Sequence, residues 1–283
     1  MSKNYLIYGV KRTGSHGMIN WLIPQIGDAV RFFNDRKYPL LDFTNSDFDR
    51  NDEHKLIEHV LELDTDVRVY VNNEKKRSGE SYWEEYNDID NIISFEGVEF
   101  NKVCEVETQL LQDLNRGLKV KNPDLVVGND NTYIVFLRNP WNVAASQIRW
   151  SLDRPDNYNR VHRDMVVWSE YYEHYINQNP DIYFMIFDKW FIDIEYRKKI
   201  SSDLGLEFTD INKKKVAIAG DGSSFDKMKF DGEAQKMDVL NRYNQMIDNK
   251  KMLAFMETDK GVDVKNKWNH LCDLENIIDL KIK

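Results

Sequence analysis

A run of seven residues near the start of the chain combines the side-chain and backbone groups that bind anions. An apolar stretch of strand character, Tyr5 to Tyr8, precedes the run, and apolar residues at helical spacing follow it. In a strand–turn–helix junction the backbone N–H groups and the positive end of the helix face one concavity, which favours a phosphate or sulfate. We therefore predict an anion-binding loop at Gly9 to Ser15, in which Lys11 and Arg12 supply formal charge and Ser15 a hydroxyl donor.

Two glycines allow this loop to be compared with the nucleoside-triphosphatase pattern. Gly9 and Gly14 satisfy G-x-x-x-x-G, but Ser15 and His16 follow where the pattern requires Lys and then Ser or Thr. The charge that binds the β/γ-phosphates and the hydroxyl that binds magnesium are therefore both missing. An ordinary kinase or ATPase is disfavoured, and a tight turn without a ligand is the alternative reading of this stretch alone.

A second cation follows an apolar stretch in the middle of the chain. The continuous run Tyr133 to Leu137 is typical of a strand buried on both faces, and Arg138 comes directly after it. The pair Asn139-Pro140 suits a helix N-cap and first helical position, so a helix is predicted to begin there. Ser146 then lies two turns into this helix. The chain thus has two strand-to-helix junctions, each with a cation.

Two carboxylates also follow apolar strands. Glu96 comes after Asn91 to Phe95, and Asp188 comes after Ile182 to Phe187. In open α/β sheets, ligands bind at the carboxyl ends of the parallel strands. We expect that edge of the sheet to carry Lys11, Glu96, Arg138 and Asp188.

The elements that must position these residues alternate between short, nearly all-apolar strands and helices. This order predicts an α/β fold, a single domain with a central parallel sheet flanked by helices and with helical additions toward the C-terminus. Pro24 is predicted to stop or kink the first helix. The first helix is predicted to follow Ser15. Further strands are predicted at 29–33 and 67–71, and further helices at 49–63, 104–114, 140–150, 158–178, 190–204, 213–219, 232–247 and in part of 250–283.

We predict one domain over residues 1–283, with a loop excursion at 72–90. A mostly helical extension at 207–283 is predicted to contain a loop at 220–225. The length of 283 residues and the 41% apolar content are sufficient for a substantial core.

The net charge of −9 argues against binding to nucleic acid or insertion into an acidic membrane, while leaving room for a local basic pocket. Cys104 and Cys272 are far apart and form no metal-binding spacing, which favours free thiols and no bound metal. The chain has no apolar run of transmembrane length. We expect a cytoplasmic protein with a small anionic ligand.

Three stretches together resemble the sulfotransferase superfamily, whose members transfer a sulfuryl group from 3'-phosphoadenosine 5'-phosphosulfate (PAPS). The family's 5'-phosphosulfate loop is matched by Lys11, Arg12, Thr13, Gly14, Ser15 and His16, with Arg12 at the position of the family's Lys. Arg138, the following Asn-Pro and Ser146 reproduce the spacing of the family's 3'-phosphate motif. Residues 182–206 are similar to its strand, acidic residue, helix and Leu-Gly segment.

The resemblance implies PAPS as the donor, 3'-phosphoadenosine 5'-phosphate (PAP) as the product, and no metal. It implies that Arg12 and Lys11 stabilise charge on the leaving 5'-phosphate, and that Glu96 stands where cytosolic members have their basic His. His16 and Asp35 are the alternative bases. By position, the loop at 220–225 matches a family loop near the 3'-phosphate and adenine, which implies further nucleotide contacts from Ser223, Ser224 and Phe225.

The acceptor is predicted to be a small molecule or carbohydrate that carries a hydroxyl or an amine. Two other functions stay open at this stage: a phosphotransferase with a degenerate phosphate loop, and a nucleotide-binding protein without catalytic activity. The sequence does not predict an oligomeric state.

Overall fold

The computed structural model describes residues 3–27, 29–33, 67–71, 74–76, 90–97, 131–151, 158–216 and 222–282. The predicted fold class, α/β with a central parallel sheet flanked by helices, is confirmed. The predicted helices at 49–63 and 104–114, and Asp35, lie outside the described residues.

The described chain contains seven strands and seven α-helices. The strands are β1 (Asn4–Gly9), β2 (Ala29–Phe33), β3 (Val67–Val71), β4 (Glu74–Lys76), β5 (Asp90–Glu96), β6 (Asn131–Leu137) and β7 (Ile182–Ile186). The helices are α1 (Ser15–Ile26), α2 (Pro140–Trp150), α3 (Tyr158–Ile176), α4 (Phe187–Ile192), α5 (Ile194–Asp203), α6 (Lys250–Met256) and α7 (Asp259–Leu274).

The chain divides into two compact units, each made of two segments. The first comprises Met1–Tyr8 and Gly27–Ile134, and the second comprises Gly9–Ile26 and Val135–Lys283. That residues 1–283 form a single domain stays a prediction.

The first unit contains the strand order β4-β3-β2-β5-β1 followed by the beginning of β6. Strands β2 and β5 pair in parallel, with Phe32 opposite Ile92, and both of these side chains are buried. Strands β3 and β4 add an antiparallel edge, which was not predicted. Since β4 lies within 72–90, the predicted loop excursion there is wrong for residues 74–76.

The second unit contains the end of β6, then β7, and all seven helices. Helix α1 continues past Pro24 to Ile26, so the proline does not stop it. Proline lacks the N–H that would bond to the carbonyl of Asn20. The Asn212 side chain donates to that carbonyl at 3.0 Å. This side-chain bond replaces the missing backbone bond and allows the helix to continue.

Two predicted helices differ from the structure. The helix expected over 190–204 is divided at Asp193, whose carboxylate caps α5 by accepting from the N–H groups of Glu195 and Tyr196. The helix expected over 213–219 is absent from the described part of that range, since residues 211–214 form a turn.

The predicted helix over 232–247 is also wrong, because only short 3-10 turns form, at Ala234–Lys236 and Asn244–Met246. Side chains at the start of α2 bind the main chain between these turns. The Asn142 amide donates to the carbonyl of Leu240 at 2.8 Å and accepts from the N–H of Tyr243 at 3.1 Å. These bonds satisfy backbone groups that a helix would have used, so the segment keeps an irregular path.

Candidate nucleotide-binding site

The loop between β1 and α1 is held by hydrogen bonds to three consecutive carbonyl groups. The donors come from the loop itself, from α2 and from the residue that follows β6. Thr13 Oγ1 donates to Val10 O at 2.6 Å, Gln147 Nε2 to Lys11 O at 2.8 Å, and Arg138 Nη1 to Arg12 O at 2.9 Å. Each carbonyl is thus engaged by a protein donor, which fixes the loop before any ligand binds.

Two residues of this loop have positive φ angles, 71° at Arg12 and 92° at Gly14. The Arg12 guanidinium lies over the Trp150 ring, 4.9 Å from its centroid. A Cβ at position 14 would lie 2.4 Å from the Phe187 ring, so the position excludes any side chain. Glycine is therefore required at position 14 by both backbone conformation and packing.

Arg138 is buried and uses two of its N–H groups on the main chain. Nη1 donates to Arg12 O, and Nη2 donates to Val239 O at 2.6 Å. The guanidinium also lies over the Phe187 ring at 4.5 Å, while Nε has no hydrogen-bond partner among the described residues. Arg138 thus joins the loop to the segment at 239. Of the guanidinium donors of Arg138, only the N–H groups that these two bonds leave unused could bind a phosphate.

Arg242 is the residue that sequence reasoning missed. Its Nη1 donates to Ser146 Oγ at 3.3 Å and its Nη2 to Ser223 Oγ at 2.7 Å. Its guanidinium lies over the Phe225 ring at 5.0 Å. The structure therefore brings together Ser146, Ser223 and Phe225, predicted from separate stretches, around an arginine in a segment predicted as a helix.

Ser224, also predicted, is not hydrogen-bonded to Arg242 in the described structure. Its Oγ is buried and has no hydrogen-bond partner there. Ser146 Oγ donates to Asn142 O at 2.8 Å, so its hydroxyl proton is directed to its own helix and its oxygen faces Arg242.

The electrostatics of this region favour an anion. Burial, and secondarily Arg242, lower the pKa of Arg138 to about 9, although Asp188 acts in the opposite direction. Burial also lowers the pKa of Arg242 to about 10, with Arg12 adding to the effect and Asp226, whose carboxylate lies 3.6 Å away, opposing it. A bound anion stabilises buried cations whose pKa is lowered by burial and by a neighbouring cation.

Asp188 was expected at the ligand edge, but it is buried in the first turn of α4. Its Oδ2 accepts from the N–H of Asn139 at 2.8 Å. Burial raises the pKa of Asp188 to about 6, with Arg138 and the Asn139 N–H acting in the opposite direction. This carboxylate therefore supports the start of α2 and neutralises part of the charge of Arg138.

The predicted bases have different positions in the chain. Glu96 is the last residue of β5 and is partly exposed in the first unit. His16 is the second residue of α1 and is partly exposed in the second unit. The role of either as a base stays a prediction.

Two further findings concern the described residues alone. They contain no group of three or more His, Cys, Asp or Glu side chains placed to hold a metal ion. Within the same ranges, no helix has the length and apolar character needed to cross a membrane.

Neither a protein-family profile nor a curated protein sequence matches the chain. Among solved structures, the chain is similar to the crystal structure of mouse sulfotransferase SULT7A1 complexed with PAP. The identity is 13%, the TM-score is 0.39, and the match covers 94% of this chain and 88% of that one. At this identity and TM-score the similarity assigns no role to any residue.

Proposed function

We propose that the protein is a sulfotransferase that uses PAPS and releases PAP. The observation that carries this proposal is the pair of buried arginines, Arg138 and Arg242, whose Nε atoms both lack a hydrogen-bond partner among the described residues. Arg242 also holds the two hydroxyls of Ser146 and Ser223. Buried guanidinium groups with unused N–H donors suit a phosphate group. We assign the 3'-phosphate of the nucleotide to this position.

The second anion of the nucleotide is assigned to the loop of residues 11–16. Lys11 and Arg12 supply formal charge there, and the loop leads directly into the N-terminus of α1. PAPS carries two separate anionic groups, the 3'-phosphate and the 5'-phosphosulfate, and so suits two separate cationic positions. ATP carries its phosphates at one position. The absence of the triphosphatase Lys and the presence of Arg138 and Arg242 both favour PAPS over ATP.

Transfer would proceed by in-line displacement at sulfur. The acceptor oxygen or nitrogen forms a bond to sulfur as the bond to the 5'-phosphate oxygen breaks, and the electron pair leaves with that phosphate. Arg12 and Lys11 stabilise the developing charge, helped by the N–H groups of Gly14 and Ser15. Glu96 takes the acceptor proton, with His16 and Asp35 as the alternative bases. The acceptor is a small molecule or a carbohydrate.

Calorimetry with PAP and with AMP, which lacks the 3'-phosphate, tests the nucleotide assignment. PAP should bind more tightly than AMP, and Arg242→Met should weaken PAP by about 10-fold to 100-fold while changing AMP little, because a charged hydrogen bond is lost. Arg149→Met, at an exposed position of α2, is the matched control. Equal affinity for PAP and AMP would overturn the proposal. A protein that binds ATP with magnesium but does not bind PAP would also overturn it.

Turnover of PAPS tests the base. Glu96→Gln should lower the rate by about 100-fold or more if Glu96 takes the proton. A near-normal rate would remove Glu96 from the mechanism and direct attention to His16 and Asp35.

A further inference from the structure

The last turn of α2 contacts two consecutive residues of the anion-binding loop. Gln147 Nε2 donates to Lys11 O at 2.8 Å. Three residues later, the Trp150 ring lies against Arg12, whose Cζ is 4.9 Å from the ring centroid. Residues three positions apart lie on the same side of an α-helix, so Gln147 and Trp150 approach the loop together. The end of α2 therefore supports both the main chain of the loop and one of its charged side chains.

Arg12 is also held at its main chain. Its φ angle of 71° lies in the left-handed region, which residues other than glycine, Asn and Asp seldom adopt. Its carbonyl accepts from Arg138 Nη1 at 2.9 Å. A conformation of this kind persists only where the surrounding structure fixes it. Arg138 thus supports the main chain of Arg12, and Trp150 supports its guanidinium.

A cation that lies over an aromatic ring keeps its hydrogen-bond donors. The contact between Arg12 and Trp150 lies within the distance of about 6 Å over which a ring attracts a cation, and both side chains are half-buried. The ring attracts the whole cation, whereas the N–H groups of a guanidinium donate within its plane. An arginine that is already in place loses less side-chain freedom when an anion binds, and so binds it more tightly. Contact with Trp150 should therefore strengthen anion binding by Arg12.

We propose that Trp150 is a positioning residue that holds the Arg12 guanidinium for the 5'-anionic group of the nucleotide. The inference rests on the proposed function, which assigns that group to the loop, and refines it by naming a residue that acts through Arg12. Trp150 thereby favours nucleotides with a 5'-phosphate or 5'-phosphosulfate. Direct stacking of Trp150 on adenine or on the acceptor is the competing role, and a double-mutant cycle with Arg12 separates the two.

The cycle compares the affinity for PAP of the wild type, Trp150→Leu, Arg12→Met and the double variant by calorimetry. Trp150→Leu should lower this affinity by about 3-fold to 30-fold, the range of a cation–π contact. In the Arg12→Met background the same change should have an effect of less than about twofold, because no cation is left to position. An equal loss in both backgrounds, or an Arg12→Met variant that binds PAP as the wild type does, would overturn the inference.

Two further readouts separate positioning from general damage to the fold. Adenosine 3'-monophosphate lacks the 5'-phosphate, so Trp150→Leu should change its affinity, measured by competition with PAP, by less than about twofold. Trp150→Phe keeps a ring and should bind PAP more tightly than Trp150→Leu does. Trp150→Gln has no ring, should lose as much as Trp150→Leu, and replaces that variant if it does not fold.

Phe184→Leu is the matched control, because Phe184 is a half-buried ring of β7 that lies against Tyr175. This variant should bind PAP as the wild type does. An unchanged affinity for PAP in Trp150→Leu, or equal losses for PAP and adenosine 3'-monophosphate, would overturn the inference and leave the proposed function intact. A wild-type protein that does not bind PAP would refute the proposed function itself. Calorimetry of the wild type therefore distinguishes the two failures.

Discussion

Replacing Gly14 by alanine should destabilise the second unit more than the same replacement of Gly205 or Gly17. The φ angle of +92° costs an L-residue about 1–2 kcal/mol. The new Cβ would lie 2.4 Å from Phe187 Cε2 and 2.7 Å from Cδ2. Carbon atoms pack at about 3.5–4.0 Å, so the ring must move by more than 1 Å.

The Phe187 ring has little freedom to move. It lies against the Arg138 guanidinium at 4.5 Å and against the Trp190 ring at 5.6 Å. Overpacking of this kind typically costs about 1–3 kcal/mol. The two effects together predict a loss of about 2–5 kcal/mol in the free energy of unfolding for Gly14→Ala. A moved ring should also disturb Arg138 and weaken binding of PAP.

Two other glycines separate the contributions. Gly205 has a φ of +69° and open space around it, so Gly205→Ala should cost only the backbone part, about 1–2 kcal/mol. Gly17 lies within α1 with no heavy atom within 4 Å, so Gly17→Ala should stabilise by up to about 1 kcal/mol through helix propensity.

Thermal and urea unfolding of the three variants, with calorimetry of PAP binding, measure these differences. Gly14→Ala should have the lowest Tm and the weakest binding. Adding Phe187→Leu should recover part of the stability, because the smaller side chain leaves room for the Cβ. If Gly14→Ala is no less stable than Gly205→Ala, the ring does not constrain the loop and the argument from packing is wrong.

Two further predictions concern the residues that support the site. Gln147→Leu removes the donor to Lys11 O and should lower the affinity for PAP, measured by calorimetry, by about 10-fold. Gln235→Leu, at an exposed position, should leave this affinity unchanged. Equal affinities for both variants would contradict a role for Gln147. Because burial raises the pKa of Asp188 from 3.8 to about 6, the folded state holds this proton more tightly than the unfolded chain does. The free energy of unfolding should therefore fall by up to about 3 kcal/mol as the pH rises from about 4 to about 6. Asp188→Asn should lack this fall in urea titrations across that range, and identical slopes for both proteins would refute the assignment.

Local interactions allowed the two strand-to-helix junctions, between β1 and α1 and between β6 and α2, to be predicted. The Asn139 side chain accepts from the N–H groups of Trp141 and Asn142, and α2 ends at Trp150 as expected. The anion-binding loop likewise lies between a strand and a helix, β1 and α1. In each case the residues that determine the conformation lie within a few positions of one another. Strand-forming and capping preferences therefore suffice to place them.

Long-range hydrogen bonds account for the largest error. The segment 232–247 has a helical pattern, yet its main chain is bound by Arg138 at Val239 O and by Asn142 at Leu240 O and Tyr243 N. The partners are about a hundred residues apart. Helix propensity is a weak preference of a few tenths of a kcal/mol per residue, and several tertiary bonds override it.

The amino-acid sequence alone was enough to indicate a strand–turn–helix junction that contains Lys11 and Arg12, a second cationic junction and the serine that follows it. These depend on residue types and on spacing along one strand, turn or helix. The convergence of Arg242 with Ser146 and Ser223, and the use of two N–H groups of Arg138 on the main chain, depended on tertiary folding. Contacts between residues distant in sequence follow from the path of the whole chain, which no local pattern encodes.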